Sequence, residues 1–299
     1  MTRFAERPLT EEPVGHVIGA SDGPLMVWEW AGPGPTVFFA HATGFHARCW
    51  DEVIRRLPGI RAFALDTLGH GQSAEPPPPE PYRWARLAVG ATEAIERLGL
   101  REALGVGHSM GAYLLVRAAA AARSAFRQLL LVDPSILPEA AYGRTSPVMA
   151  TSFVLRRRNE WDSPEEMIER FTGRPPFGHW KQEVLDDYCR FGLKPDGKGA
   201  FRLACSPEAE AAVYAATASD SPYGEIAQLE IPVRVLRARQ RPADLPSGDM
   251  SYSPTAPDLA AYFRQGEDLL LPDHTHYIPM EDPDLVAEQI KQMLAAKGS

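Results

Sequence analysis

The sequence predicts an α/β fold, with a mostly parallel central sheet flanked by helices and a helical cap inserted after the sixth core strand. Three observations carry this. Short apolar β-type runs alternate with segments of helical period, the pattern of a parallel sheet covered on both faces. The alternation stops between about residues 134 and 230, where helical stretches and aromatic residues continue without a convincing strand. A G-x-S-x-G pentapeptide, Gly107-His108-Ser109-Met110-Gly111, falls on a strand-to-helix boundary. The division that follows is a sheet core over 1–133 and 231–299 and a cap over 134–230.

The strands read in chain order as LMVWEW (25–30), TVFFA (36–40), RAFALD (61–66), ALGVG (103–107), QLLLVD (128–133), VRVLRA (233–238) and DLLLP (268–272). Between them, Trp84, Leu87, Ala88, Ala91, Ile95 and Leu98 recur at spacings of three and four, which places them on one helix face. Leu285, Val286, Ile290, Met293 and Leu294 do the same near the C-terminus, where Asp282 reads as N-cap and Pro283 as the first helical residue. The run Pro76 to Pro79 is a stiff local loop. In the insertion, Trp161, Phe171, Phe177, Trp180, Tyr188 and Phe191 are expected to form the cap's own core, with some of them facing the cleft. Such a cap lies over the carboxyl edge of the sheet, where open α/β sheets bind ligands.

Composition narrows the function classes. The chain has 299 residues, a net charge of −8 and ordinary hydrophobic content at 44%. An acidic surface repels phosphate backbones, so nucleic acid is not an expected partner. The one compact basic run, Arg156-Arg157-Arg158, reads as a solvated helix face, with anion contact as the alternative. Three scattered cysteines, Cys49, Cys189 and Cys205, do not form a disulfide framework, and none pair at zinc-ligand spacing. The opening stretch has no apolar run resembling a signal peptide and no stretch is apolar enough to span a bilayer, so a cytoplasmic location is expected. No metal or cofactor is called for, and the sequence leaves the oligomeric state open.

The pentapeptide carries the chemistry. A tight turn between ALGVG and MGAYLLVRAAAAA needs small residues on both sides of the serine, which Gly107 and Gly111 supply. It lifts the Ser109 oxygen above the sheet edge and aims the first helical N–H groups at any negative charge forming there. The alternative is an incidental serine at a glycine-flanked helix start. A serine hydroxyl needs a base, and the chain offers eight histidines.

After DLLLP comes DHTHYIPMEDPDL, and here the sequence resembles the α/β-hydrolase family, whose pattern at this place is a small residue, His, an aromatic, then apolar-Pro-x-Glu. Thr275-His276-Tyr277-Ile278-Pro279-Met280-Glu281 fits that register, which implies His276 as the base and His274 as a loop histidine. HATGFH resembles the family's oxyanion loop, with Ala42 where the family has glycine, and implies the Thr43 and Met110 backbone N–H groups as oxyanion donors. Asp66-Thr67-Leu68-Gly69-His70-Gly71-Gln72-Ser73 matches the family's D-x-x-G-H-G-x-S turn, a structural motif held by Asp66. The cap segments RPPFGHW…EVLDDYCRFGL and LACSPEAEAAVY more loosely resemble a lipase/esterase-like subgroup that includes peroxisomal lipase-type proteins.

The triad acid departs from the family pattern. RQRPADLPSGDM, after VRVLRA, has no carboxylate at the usual offset. Asp133 at the end of QLLLVD is one candidate; Asp244 is the alternative, with Asp249 behind it. The acid would fix the His276 tautomer and stabilise the imidazolium without taking the proton. The resemblance implies a serine hydrolase of carboxylic esters, acting through an acyl-enzyme on a small-molecule, apolar ester. Phe45, Trp50, Tyr113 and Tyr277 are the expected pocket residues. A C–C bond hydrolase or lyase on the same scaffold is the alternative, and a non-catalytic ligand receptor is a third reading.

Overall fold

The computed structural model describes residues 12–143, 149–242, 245 and 249–296. Its strands are β1 (Val14–Ile18), β2 (Leu25–Trp30), β3 (Thr36–Ala40), β4 (Arg61–Asp66), β5 (Ala103–His108), β6 (Phe126–Val132), β7 (Glu160–Trp161), β8 (Leu193–Pro195), β9 (Phe201–Leu203), β10 (Val233–Ala238) and β11 (Gly266–Leu271). Its helices are α1 (Asp51–Arg55), α2 (Trp84–Arg97), α3 (Met110–Ala121), α4 (Met149–Val154), α5 (Pro164–Phe171), α6 (Gln182–Phe191), α7 (Pro207–Ala215), α8 (Tyr223–Ile226), α9 (Ile278–Glu281) and α10 (Pro283–Ala295).

Eight strands make one sheet in the order β1-β2-β4-β3-β5-β6-β10-β11. β1 and β2 are antiparallel, and every pair from β4 to β11 is parallel. TVFFA shows why the central strands carry no polar alternation: Phe38 joins the core on one face of the sheet and Phe39 the core on the other. α2 buries the predicted face from Trp84 to Ile95, and α10 opens on Asp282, whose side chain accepts from the Leu285 N–H at 2.9 Å.

The chain runs from β3 to β4 on one side and returns to β5 on the other. The switch point of the topology is therefore the crevice beyond the carboxyl ends of β3 and β5.

Between β6 and β10 lie α4 to α8, as expected of a helical cap, together with a feature the sequence did not predict. β7, β9 and β8 form a small antiparallel sheet. Runs of two or three residues are too short to show a period of two, so no strand signal could be read there. β1, a largely exposed edge strand, is a further strand that the sequence does not predict.

The basic run is not one solvated face. α4 ends at Val154, and Arg156, Arg157 and Arg158 occupy the turn that follows. Arg157 points inward to the buried Glu210 and donates to the Tyr188 hydroxyl at 3.1 Å, while Arg158 lies over the Trp161 ring. Cys49, Cys189 and Cys205 are buried free thiols. Among the described residues, no helix is long and apolar enough to cross a membrane.

Candidate active site

Ser109 sits between β5 and α3 at φ 55°, ψ −117°, a left-handed conformation that a non-glycine residue adopts only when its surroundings impose it. The flanking glycines are required by close approach. A Cβ on Gly107 would lie 2.6 Å from the Ala112 backbone, and one on Gly111 would lie 2.2 Å from the Ala40 carbonyl oxygen. β5, β3 and α3 thus pack backbone to backbone, and the serine is pushed out over the switch point.

The loop after β11 brings His276 to it. Ser109 Oγ lies 3.0 Å from His276 Nε2, and His276 Nδ1 lies 2.6 Å from Asp133 Oδ2. A carboxylate can only accept, so Nδ1 carries the imidazole proton and Nε2 is left to accept from the serine hydroxyl. Asp133 is fully buried just beyond β6. Its second oxygen takes the Ala238 N–H at 2.9 Å and the Ser253 hydroxyl at 2.5 Å, and the Thr255 hydroxyl oxygen lies 3.3 Å away. The Glu281 of the apolar-Pro-x-Glu stretch accepts from the Thr275 N–H at 3.0 Å and from its hydroxyl, which clamps the residue before His276.

The Thr43 and Met110 N–H groups lie at the end of the β3 loop and the first turn of α3, and among the described residues neither has a backbone hydrogen-bond partner. The two residues touch through the Thr43 hydroxyl and Met110 Sδ at 3.5 Å. Two histidines fix this loop, a role the sequence did not suggest. His41 Nδ1 donates to the Ala42 carbonyl at 2.8 Å, and its Nε2 accepts the Thr67 N–H at 3.0 Å. His70 Nδ1 donates to the Leu68 carbonyl at 3.0 Å, and its Nε2 accepts the Gly44 N–H at 3.1 Å. Burial holds both imidazoles uncharged by lowering their pKa to about 3. Asp66 holds the same turn, accepting from the Ala47 and Gln72 N–H groups at 2.7 and 2.9 Å. His108, inside the pentapeptide, donates from Nε2 to the His276 carbonyl at 2.8 Å, and its burial likewise keeps it neutral.

Of the expected pocket residues, the structure brings Phe45 and Tyr277 to the site. Their rings lie 6.2 Å apart and both pack on Trp180 of the insertion, Phe45 at 5.7 Å and Tyr277 at 5.4 Å. Trp50 and Tyr113 do not belong there. Trp50 packs against Phe39 under the sheet, and Tyr113 packs against Trp84 with its hydroxyl on the Asp220 carbonyl. Both stand next to a motif in sequence, but neither points the way the motif does. Of the cap aromatics, Tyr188 also contacts Phe45, at 5.3 Å, whereas Phe191 lies under the Arg48 guanidinium.

A narrow crevice beside the loop that carries Thr43 is lined by residues that include Gly44, Phe45, Arg157, Tyr188, Leu203 and Cys205. His274 lies away from the serine, 3.4 Å from Asp282. Asp249 is exposed and accepts from the Ser251 N–H, and Asp244 lies outside the described residues. Among the described residues no cluster of three or more His, Cys, Asp or Glu is placed to hold a metal ion.

Comparison with known proteins places the chain among hydrolases of one family. An esterase of Mycobacterium tuberculosis is 30% identical over 176 residues, 58% of this chain and 57% of the esterase. The lipase LipV of the same organism is 26% identical over 279 residues, 91% of this chain and 98% of the lipase. The crystal structure of E-2-(acetamidomethylene)succinate hydrolase superposes with a TM-score of 0.74 at 20% identity, covering 95% of this chain and 100% of that one. The family model described as the alpha/beta hydrolase family matches residues 37–289, from β3 into α10 and across every strand end that carries a site residue. The chain therefore belongs to the alpha/beta hydrolase family.

Proposed function

We propose that this protein hydrolyses carboxylic esters through an acyl-enzyme on Ser109, in a site enclosed by the sheet core of 1–133 and 231–299 and a cap over 134–230. The observation that carries the reading is the continuous chain from Ser109 Oγ through His276 to a fully buried Asp133, at 3.0 and 2.6 Å. In acylation, Ser109 Oγ bonds to the ester carbonyl carbon as its proton passes to His276 Nε2. Asp133 holds the imidazolium that forms, and the Thr43 and Met110 N–H groups take the oxyanion. His276 then gives the proton to the departing alkoxide. Water repeats the sequence against the acyl carbon and frees Ser109.

The esterase and lipase relatives support the ester bond as the target. Phe45, Tyr188, Trp180 and Tyr277 support an apolar small-molecule substrate, because clustered rings offer apolar surface and few hydrogen bonds. The net charge of −8 speaks against nucleic acid, and the composition suits a cytoplasmic setting.

A panel of p-nitrophenyl esters, from short to long acyl chains, tests the reading. Turnover of at least one ester, lost in Ser109→Ala, is the expected result. No turnover of any ester by a protein whose serine still reacts with a fluorophosphonate would move the assignment to another acyl or carbon–carbon bond.

A further inference from the structure

A second hydroxyl lies on the nucleophile. Ser135 Oγ is 2.9 Å from Ser109 Oγ, in a place that is itself buried. Its position is set by the backbone. Asp133 takes a left-handed conformation at φ 41°, which turns the chain back over the pentapeptide, and the Ser135 N–H then donates to the Ser109 carbonyl at 3.1 Å. The Pro134 carbonyl between them accepts from the Thr255 hydroxyl at 2.7 Å, and the Ile136 carbonyl accepts the Ala256 N–H at 2.9 Å. Ser135 is thus carried by the segment that carries Asp133.

The direction of the bond follows from the donors present. Asp133 fixes the His276 proton on Nδ1, so Nε2 accepts and the single Ser109 proton goes there. The lone pairs of Ser109 Oγ remain, and the Ser135 hydroxyl is the donor that faces them.

We propose that Ser135 is a catalytic residue of this site, donating a hydrogen bond to Ser109 Oγ that favours release of the acyl group over its formation. The inference rests on Ser109 being the nucleophile. A hydroxyl oxygen is a good acceptor, and an oxygen departing with negative charge is a better one. In the acyl-enzyme, the same atom is the alkyl oxygen of an ester, whose lone pair is delocalised into the carbonyl, and the bond from Ser135 is weak. It is therefore present in the free enzyme, largely lost in the acyl-enzyme, and regained as the C–Oγ bond breaks in deacylation. No proton leaves Ser135. Water supplies the proton that His276 returns to Ser109 Oγ, and the carboxylic acid takes the hydroxyl. The contribution to acylation is close to nil, because the starting serine and the transition state both hold the bond.

The test follows the acyl group directly. Protein mixed with a p-nitrophenyl ester is quenched at intervals, and the acyl adduct is located and counted by mass spectrometry. Ser135→Ala is expected to slow adduct decay by about five- to tenfold, the worth of one neutral hydrogen bond, with the rate of adduct formation within about twofold. With deacylation limiting, kcat and KM fall together and kcat/KM holds. Ser135→Thr, which keeps the hydroxyl, is expected to restore most of the decay rate. A merely structural role would slow both steps alike. That outcome, an unchanged decay rate in Ser135→Ala, or a Ser135→Thr as slow as the alanine variant overturns the role of Ser135 alone. A wild-type adduct on a residue other than Ser109 overturns it together with the proposed function.

Discussion

At the scale of single residues, the two oxygens of Asp133 divide the work. One meets His276 and the other takes two donors, the Ala238 N–H and the Ser253 hydroxyl. In Asp133→Asn the amide oxygen satisfies those donors best, which turns the amide nitrogen toward His276 and forces its proton onto Nε2. The histidine then faces the serine in the wrong tautomer. The expected result is a loss of up to about 10⁴ in kcat with Tm nearly unchanged. His276→Ala is expected to lower kcat by roughly 10³ or more, and His274→Ala by less than about tenfold, because only His276 touches Ser109. Comparable losses at the two histidines would remove His276 from the base position. The serine and the histidine of the proposed site are legible in the sequence because each lies in a local motif. The partner of His276 is not, and the sequence leaves Asp133, Asp244 and Asp249 open, because Asp133 is 143 positions from His276 and their pairing depends on β10 lying beside β6. Ser135 had no signal at all: it follows a proline, and only the turn at Asp133 places it.

Among the elements, the loop that carries Thr43 is held from two sides. His41, which accepts the Thr67 N–H, and His70 tie it to the turn after β4, and α7 of the insertion sets Glu210 against it, so that a Cβ on Gly44 would lie 2.6 Å from the Glu210 carboxylate. Glu210 is kept in place by Arg157, and both side chains are largely removed from water. A buried pair is costly to halve, since the remaining charge has no partner. Glu210→Gln is expected to destabilise the protein by roughly 3–5 kcal/mol in denaturant unfolding, whereas a Glu210→Leu, Arg157→Met double variant is expected to come close to the wild type. A loss in the double variant as large as in the single one would mean that shape, not charge, holds the loop. This contact was illegible for a physical reason. A run of three arginines on a helical pattern reads as a solvated face, but the helix stops at Val154 and the middle arginine turns inward. The sheet core was the opposite case, since apolar runs such as TVFFA leave a parallel strand little alternative.

For the whole molecule, the same buried histidines make stability depend on pH. His41 and His70 titrate at about 3 in the folded protein because burial disfavours the cation, against about 6.5 for an exposed imidazole. The folded pKa lies below the unfolded one, so the unfolded chain takes up protons first as the pH falls. The stabilisation is fully present above about pH 6.5 and is lost between about 6.5 and 3, at up to about 1.4 kcal/mol per pH unit for each histidine. His70→Asn removes one of the two. It is expected to be less stable than the wild type at pH 7, with the gap narrowing by about that slope as the pH falls from 6.5 toward 4. Chemical unfolding of the two proteins across that range measures it. A gap that stays constant would show that His70 is not held neutral by the fold.

The central claim is that Ser109 is an activated nucleophile, and covalent labelling tests it most directly. A fluorophosphonate probe added to the folded protein, followed by peptide mapping, should place one adduct on Ser109. The rate should fall steeply in His276→Ala and to nothing in Ser109→Ala. Full-rate labelling of the Ser109→Ala protein, or an adduct mapped to any other residue of the wild type, would contradict the account.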